Sequence, residues 1–342
     1  MIPLKSEQVQ PYLTPYRYSK PVLVGSGVKG AFDEQAVDIP FVFRHGGEWR
    51  MMYVGFDGQG YQTAMARSGD LLNWEPMGVI LPRSAEGGCW DSIGQAGTWM
   101  IKECDNLHST PKLKKIDGKY WMVYHSYPGE GYEAGAAEIG LAFCEDESLM
   151  KWTTLEKPVF SWREGADWER GGLYKACIIQ GGVSGISAKY LMFYNAKTMD
   201  VPWIEETGVA FSEDLFNWKR YDGNPVLRVD EGRWDRRFVS DPYIVRDGDW
   251  WLNFYFGLGP GHAQEGLAFS RDLLNWEKVD APILAHGEAG SLDSGHAHKA
   301  SILWHEGRLY HFYCATRPWE QTDPTKIYNE FRTIAVASNK PF

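Results

Sequence analysis

The stretch Val239–Leu284 reads V-S-D-P-Y-I-V-R-D-G-D-W-W-L-N-F-Y and then, after a short loop, E-G-L-A-F-S-R-D-L-L-N-W-E-K-V-D-A-P-I-L. Apolar and polar residues alternate in three runs, which predicts three β-strands. These runs are Pro242–Val245, Trp250–Tyr255 and Gly266–Ser270. An Asp-Gly turn joins the first two runs as a hairpin, and a fourth strand follows the D-L-L-N-W turn. The stretch is therefore expected to form one four-stranded antiparallel unit.

The same pattern recurs along the chain. The signature G-x-A-x-S-x-D-L-x-N-W, or a variant of it, returns at Ala64–Trp74, Gly140–Trp152, Gly208–Trp218 and Gly266–Trp276, and in truncated form at Ile334–Ser338. Repeats of this length predict an all-β protein, a five-bladed β-propeller with four-stranded antiparallel blades. The last repeat lacks a fourth strand, whereas Pro21-Val22-Leu23 is a strand ending without a unit of its own. We therefore expect the N-terminal strand to close the ring on the last blade, within a single domain spanning residues 1–342.

Composition restricts the partners of this protein. The formal net charge is −10, which argues against nucleic acid and against an anionic membrane surface. No apolar run is long enough to predict a membrane span. Five cysteines without metal-type spacing are expected to be free thiols, which favours a cytoplasmic location, or a periplasmic or secreted one if a signal peptide has been removed. The sequence offers no prediction of oligomeric state.

Polar residues gather where the predicted architecture sends side chains to the central axis. Alignment of the five predicted first strands, including His108–Pro111 for the second blade, brings one polar residue from each to the axis. Third-strand starts add glutamates above them. The resulting set is Asp38, Thr110, Lys175, Asp241 and His298, with Glu138, Glu206 and Glu265. Buried charges of this kind are costly unless they pair or take part in chemistry.

Two carboxylates facing one funnel are what glycoside hydrolysis requires, since one activates water or attacks the sugar and another group protonates the leaving oxygen. Asp38 and Asp241 fit this pattern, although each also fits a turn-capping aspartate beside a proline. Glu169 and Glu206 are further candidates for catalysis and equally fit loop ion pairs. Trp-Asp pairs before two other blades indicate that Trp168-Glu169 belongs to a repeated structural element.

Histidines and basic residues complete the predicted site. His296 and His298 alternate onto one side of a strand, as axial hydrogen-bonding groups or, for His298, as a proton donor. No third ligand is fixed by spacing, so we expect no catalytic metal and no required cofactor; a structural calcium ion in the axial channel is the one cation considered. Ion pairs within the ring account for the basic residues near the predicted funnel, and substrate binding is the alternative explanation. The expected substrate-binding residues are Lys175, Thr110, His296, Trp168, Arg170 and Trp234.

The repeated S-x-D-L-x-N-W and D-G-x-W-W motifs resemble those of the five-bladed propeller glycosidases. This group includes the arabinanase and xylosidase group of glycoside hydrolase family 43, the fructosidases and levansucrases, the mannosyl phosphorylases and the neoagarobiose hydrolases. The arabinanase-like pattern implies Asp38 as base, Asp241 as the residue that tunes pKa, and Glu169 or Glu206 as acid. The neoagarobiose-hydrolase pattern implies Asp38 and Asp241 with His298 as acid.

Three functions follow from this resemblance and from the axial acids. The leading one is an exo-acting, inverting glycoside hydrolase that cleaves a terminal sugar from a plant, algal or microbial oligosaccharide or polysaccharide. The second is an inverting glycoside phosphorylase, in which basic residues near the funnel hold phosphate. The third is a non-catalytic carbohydrate-binding or interaction propeller, which needs fewer axial charges than this sequence carries.

Overall fold

Antiparallel pairing groups the strands into five successive units among the described residues, and a parallel pair between Glu205 and Phe238 joins the third unit to the fourth. The computed structural model describes residues 6–84, 87–183, 185–319 and 330–342. A short helix α1 (Ser6–Val9) and a 3-10 helix (Gln10–Tyr12) precede strands β1 (Tyr16–Arg17) and β2 (Leu23–Val24). The first unit contains β3 (Ala36–His45), β4 (Glu48–Phe56), β5 (Tyr61–Ser68) and β6 (Glu75–Leu81). The second contains β7 (Ala96–Met100), β8 (Tyr120–Ser126), β9 (Glu138–Cys144) and β10 (Thr153–Thr154).

The remaining units follow the same order. Two 3-10 helices (Trp162–Glu164 and Asp167–Glu169) lead into β11 (Gly172–Gln180), β12 (Tyr190–Lys197), β13 (Glu205–Ser212) and β14 (Lys219–Arg220). The fourth unit contains β15 (Phe238–Asp247), β16 (Trp250–Leu258), β17 (Ala263–Ser270) and β18 (Glu277–Lys278). The fifth contains β19 (His296–His305), β20 (Arg308–Pro318) and β21 (Glu330–Ser338). The protein is thus nearly all β, as the repeats predict.

The N-terminal strands pair with the last unit. Leu23 and Val24 of β2 lie opposite Ile334 and Thr333 of β21 in antiparallel register. Strand β1 pairs with the same edge of β21 near Ser338. Strand β21 therefore has neighbours on both edges, because β20 occupies the other one.

The S-x-D-L-x-N-W motif is explained by hydrogen bonds within its own turn. Ser68 Oγ accepts from the backbone N–H of Leu71, and Asp70 Oδ1 accepts from the N–H groups of Leu72 and Asn73. Leu71 adopts a positive φ of 69°, which these bonds stabilise. The third and fourth units repeat the arrangement at Ser212 and Ser270. The motif recurs because each unit needs this turn between its third and fourth strands.

One predicted strand was wrong. The first strand of the second unit is β7, Ala96–Met100, whereas residues 101–119 form the connection to β8. Thr110 is exposed in that connection, and the carbonyl of the next residue, Pro111, accepts a hydrogen bond from Arg44 N at 2.7 Å. Strand β7, A-G-T-W-M, is short and carries no acidic residue. The prediction therefore placed the first strand of this unit at the polar segment His108–Pro111. Thr110 accordingly does not reach the axis.

Two smaller findings bear on composition. No disulfide joins any of the five cysteines, all of which lie in the described ranges; three are buried, and Cys104 is exposed. Within the described ranges, no helix is both long enough and apolar enough to cross a membrane.

Candidate active site

The first strands and the starts of the third strands meet around a cavity of about 170 Å³. Three carboxyl groups line it, those of Glu133, Glu205 and Asp241. Three cations line it as well, those of Lys175, Lys299 and Arg332. Aromatic rings form much of the remaining wall, namely those of Tyr127, Tyr132, Tyr174, Trp203, Phe238 and Phe256. Charged groups on an apolar wall are typical of a site that binds and acts on a small ligand.

Glu205 begins strand β13 and is 8% exposed. Its Oε1 accepts a hydrogen bond from the indole Nε1–H of Trp203 at 3.0 Å. Its Oε2 lies 2.8 Å from Ser240 Oγ and accepts from Asn195 Nδ2 at 3.1 Å. Burial and then the charge of Glu133 raise the pKa of Glu205 above its ordinary value. A carboxyl group held in this way is suited to carrying a proton near neutral pH.

Asp241 lies in the β-bulge of β15, where the pairing with β16 shifts between Ser240 and Tyr243. Its φ is 56°, a left-handed conformation that is uncommon for a residue other than glycine. One oxygen, Oδ1, accepts from Asn195 Nδ2 at 3.3 Å, so a single amide contacts both Asp241 and Glu205. Burial raises the pKa of Asp241, and the ammonium group of Lys175 opposes that shift. The bulge thus directs a carboxyl group into the cavity.

Glu133 reaches the cavity from the insert between β8 and β9. Its Oε1 lies 3.6 Å from Lys299 Nζ, and its side chain is 35% exposed. Glu133 therefore stands in a more solvated environment than Glu205, and it faces a cation. The two carboxyl groups occupy contrasting surroundings, which is how enzymes separate an acid from a base.

Asp38 lies behind the cavity wall and is fully buried. Its Oδ2 accepts from Lys299 Nζ at 2.7 Å and from Arg332 at 2.6 Å, while Oδ1 accepts from the N–H of Ile39 at 2.8 Å. Burial alone would raise the pKa of Asp38, but the charges of Lys299 and Arg332 outweigh it and hold the pKa well below its usual range. Both oxygens are occupied, so Asp38 organises the two cations that line the cavity.

Asp38 and Asp241 are not equivalent by position. The bulge of β3 places Ile39 and Pro40 between the paired residues Asp38 and Phe41, just as Asp241 and Pro242 lie between Ser240 and Tyr243. Asp241 thus matches Ile39, whose φ is also positive, and Asp38 matches Ser240. The alignment of these two strands was correct, but treating the two acids as one repeated position was wrong.

Lys175, His296 and His298 all lie at the cavity. Lys175 is buried, with Nζ 3.4 Å from the carbonyl of Ala300, and burial lowers its pKa. Burial also lowers the pKa of His298 well below its usual value, so the ring is neutral and its Nδ1–H donates to the carbonyl of Cys314. His296 accepts a hydrogen bond from Ala263 N at 3.0 Å.

The other predicted site residues lie away from the cavity. Glu169 is 1% exposed, and it bonds to Tyr194 at 2.5 Å and to Arg220 at 2.8 Å. Trp168 stacks on the same tyrosine with ring centroids 5.9 Å apart. Asp91 with Tyr124 and Asp235 with Tyr255 form matching bonds, and Trp90 and Trp234 stack on those tyrosines. These residues make up the repeated structural element that the Trp-acid pairs indicated.

Glu206 and Arg170 also have structural surroundings. Glu206 accepts a hydrogen bond from the N–H of Val229 at 3.0 Å and does not line the cavity. Arg170 lies in the loop before β11 and donates to the carbonyl of Arg163 at 3.1 Å. Neither contributes to the cavity wall.

Sequence reasoning missed several residues of the cavity. Glu205 was passed over for its neighbour Glu206, although alternation along β13 allows only one of the two to face inward. Glu133 and Trp203 belong to an insert and a loop outside the repeats, and Arg332 lies just before the truncated last repeat, Ile334–Ser338. Among the described residues, no group of three histidine, cysteine or acidic side chains is placed to hold a metal ion.

The protein is similar to solved structures over nearly its whole length. It superposes on the BT0996 protein of an RGII complex with a TM-score of 0.81 at 31% identity, and the match covers 98% of this protein and 95% of that one. A glycoside hydrolase structure gives a TM-score of 0.81 at 30% identity, with coverage of 99% and 96%. A thermostable family-43 glycoside hydrolase, at 18% identity, has a TM-score of 0.62 over 92% of each protein and shows the fold alone.

Sequence matches are shorter. No family model matches the sequence. It is 27% identical over 165 residues to an uncharacterized protein of Mycobacterium tuberculosis, covering 42% of this sequence and 54% of that protein. It is 28% identical over 153 residues to a 1,2-beta-oligomannan phosphorylase of Thermoanaerobacter sp. (strain X514), covering 42% and 41%. The matched part therefore spans about half the length of these curated relatives.

Proposed function

Because this protein belongs to the glycoside hydrolases, we propose that it removes one terminal sugar from an oligosaccharide or polysaccharide, with Glu205 as the general acid. The observation that carries this assignment is the contrast between the two carboxyl groups on the cavity wall. Glu205 is buried with a raised pKa, whereas Glu133 is more exposed and faces Lys299. An acid and a base in such contrasting environments are what glycoside cleavage needs.

The reaction then follows from these positions. Glu205 donates its proton to the glycosidic oxygen as the bond to the anomeric carbon breaks. Glu133 takes a proton from a water molecule, whose oxygen forms the new bond to that carbon. Asp241, whose Oδ1 bonds to Asn195, contacts the sugar and stabilises positive charge that develops on the ring. Asp38 holds Lys299 and Arg332 in place and acts on the sugar only through them.

Exo action is favoured by the size of the cavity. Its volume of about 170 Å³ is below the 300–1,000 Å³ typical of pockets that take larger ligands, and it suits one sugar ring. We also propose inversion, for which Glu133 and Glu205, which reach the cavity from different units, must stand far enough apart to admit a water molecule between carboxyl and sugar. In inverting enzymes the two carboxyl groups stand roughly 6.5–9.5 Å apart.

A panel of aryl glycosides tests this proposal. Release of the aryl group should occur with one sugar configuration, and NMR of the first-formed sugar should show the opposite anomer to that of the substrate. Glu205→Gln and Glu133→Gln should each lower turnover of a natural oligosaccharide by roughly 10²–10⁴-fold. Full activity in both variants would overturn the assignment, and a product with unchanged anomeric configuration would overturn inversion.

A phosphorylase is the second candidate. It is favoured by three cations at the cavity and by the match to a 1,2-beta-oligomannan phosphorylase. In that reaction phosphate replaces water as the nucleophile, and Lys175, which has no carboxylate within hydrogen-bond distance among the described residues, would help to hold it. Cleavage that requires inorganic phosphate and yields a sugar 1-phosphate would support the phosphorylase, and phosphate-independent hydrolysis excludes it.

We further infer that the units are the five blades of a single β-propeller domain, closed by the N-terminal strands on β21. The pairing of β1 and β2 with β21 supports this inference. Removal of residues before Ala36 should then lower the melting temperature sharply. A structural calcium ion in the axial channel remains an expectation, for which carboxylate and carbonyl oxygens would be the ligands.

A further inference from the structure

Two cations stand at the edge of the cavity beside Trp203. Lys197 ends strand β12, and its Nζ lies 4.2 Å from the centre of the Trp203 ring and 6.0 Å from that of Tyr174. The guanidinium carbon of Arg237 lies 5.2 Å from the Trp203 ring and 5.1 Å from that of Phe238. All three rings line the cavity. We call Lys197 and Arg237 the rim cations.

The rim cations lack acidic partners. Across the ranges that the structure describes, no carboxylate oxygen lies within 4.0 Å of either side chain. Arg237 donates one long bond of 3.4 Å to the carbonyl of Trp203, and its Nε is buried without a hydrogen-bond partner. Other cations near the strand starts do pair, as Arg220 does with Glu169 and Arg332 with Asp38.

This absence is informative in a protein of net charge −10. Acidic residues outnumber basic ones in this sequence, so a carboxylate partner for a cation at the cavity edge would not be difficult to supply. A guanidinium group whose Nε is buried and unsatisfied costs free energy until a ligand occupies it. Arginine with a neighbouring cation is a common arrangement for binding carboxylates.

We propose that the rim cations bind a carboxylate on the leaving group, so that the natural substrate is an acidic glycan in which a uronic acid follows the cleaved sugar. This inference rests on the proposed function. Inside the cavity, three cations stand against Glu133, Glu205, Asp241 and the nearby Asp38, so the terminal sugar itself finds no excess of positive charge. The unpaired positive charge lies at the edge, beside the acid that protonates the leaving oxygen.

A different role for Lys197 must be separated from this one. Lys197 lies directly opposite Glu205 in the pairing of β12 with β13. It could therefore neutralise Glu205 after proton transfer, in which case its loss would slow every substrate alike. Arg237 contacts Glu205 through its backbone, since its carbonyl accepts from the Glu205 N–H at 3.0 Å, and Arg237→Met keeps this contact. A substrate-dependent effect shared by both cations therefore indicates binding of the leaving group.

The test uses two matched aryl glycosides of the sugar that the enzyme cleaves. One has a 4-carboxyphenyl leaving group and the other a 4-carbamoylphenyl group of the same shape without charge. The wild-type enzyme should favour the carboxylate, and Lys197→Met and Arg237→Met should each lower the ratio of the two kcat/KM values by about tenfold, chiefly through KM, the size expected for a charge-assisted hydrogen bond. Lys151→Met, at an exposed lysine, should leave the ratio unchanged.

Each other outcome has a definite meaning. Equal losses on both glycosides would overturn the proposal and assign Lys197 to Glu205. A loss of phosphate dependence in the rim variants would also overturn it, since the bound anion would then be phosphate. Glu205→Gln tests the proposed function separately. If this variant cleaves both glycosides as fast as the wild-type enzyme, Glu205 is not the general acid, and the proposed function is contradicted whatever the variants of the rim cations show.

Discussion

The indole N–H of Trp203 donates a 3.0 Å hydrogen bond to Oε1 of Glu205. An indole nitrogen can only donate, so Oε1 accepts this bond. Oε2 lies beside Asn195 and the hydroxyl of Ser240, a group that can accept as well as donate. A loop residue thus holds one oxygen of Glu205, and Ser240 is the neighbour of the other oxygen that can accept a proton from it.

Replacement of the proposed general acid, Glu205, should distinguish its role from that of the adjacent Glu206. Glu205→Gln should lower kcat on a substrate with a poor leaving group by roughly 10²–10⁴-fold, the usual contribution of proton transfer. A 2,4-dinitrophenyl glycoside should lose much less, since its leaving group needs no proton. Glu206→Gln, at the residue that faces Val229 instead of the cavity, is the matched control and should retain activity. Reversed results would show that Glu206 is the acid.

Loss of the indole donor should shift the pH profile. Trp203→Phe keeps an aromatic ring but removes a hydrogen bond that favours the ionised form of Glu205. The pKa of Glu205, already raised by burial, should rise further. Because the acid must be protonated, the alkaline limb of kcat should move to higher pH, while kcat near the optimum falls by roughly tenfold, the effect of one hydrogen bond to a charged group. An unchanged limb with altered KM alone would limit Trp203 to substrate binding.

Removal of the buried carboxylate of Asp38 should destabilise the fold. Asp38→Asn removes the buried anion that Lys299 and Arg332 share and leaves them with Glu133 and Glu330, which are more exposed, so the free energy of unfolding should fall by about 3 kcal/mol. Asp280→Asn removes a fully exposed partner of Arg233 and should change the melting temperature little. Denaturant unfolding of both variants measures the difference, and equal stabilities would contradict a structural role for Asp38.

The same ion pairs predict the response of stability to acid. The folded-state pKa of Asp38 is depressed, so its contribution is fully present above the unfolded value of about 3.9 and is lost as the pH falls towards the folded value. Wild-type protein should therefore lose stability on acidification below about pH 4 more steeply than Asp38→Asn does. Parallel curves of unfolding free energy against pH for the two proteins would refute this.

Glu169 should prove structural. Glu169→Gln weakens the buried bonds to Tyr194 and Arg220, so the free energy of unfolding should fall by about 3 kcal/mol. The activity of the folded fraction should stay close to that of the wild type. Glu164→Gln, at an exposed residue of the neighbouring 3-10 helix, serves as the control. A stable but inactive Glu169→Gln variant would instead make it a catalytic group.

The site could be predicted only in part from sequence. Asp241, Lys175, His296 and His298 line the cavity because the starts of first strands converge in any such fold, and the repeats reveal those starts. Glu205 was missed by one position, because which side chain of β13 faces inward depends on its pairing with β12. Thr110 was misplaced because the second unit departs from the pattern of the others.

The sequence by itself determined the repeating unit, because the turn that defines it is held by hydrogen bonds between residues two and three positions apart, such as Ser68 with Leu71. The sequence also predicted that an N-terminal strand would pair with the outer edge of the last unit. Only the tertiary structure decided the chemistry. Asp38 meets Lys299 and Arg332 across 261 and 294 residues, and Glu133 reaches the cavity on an insert. Contacts between residues so distant in sequence follow from strand register and loop path, which no local pattern encodes.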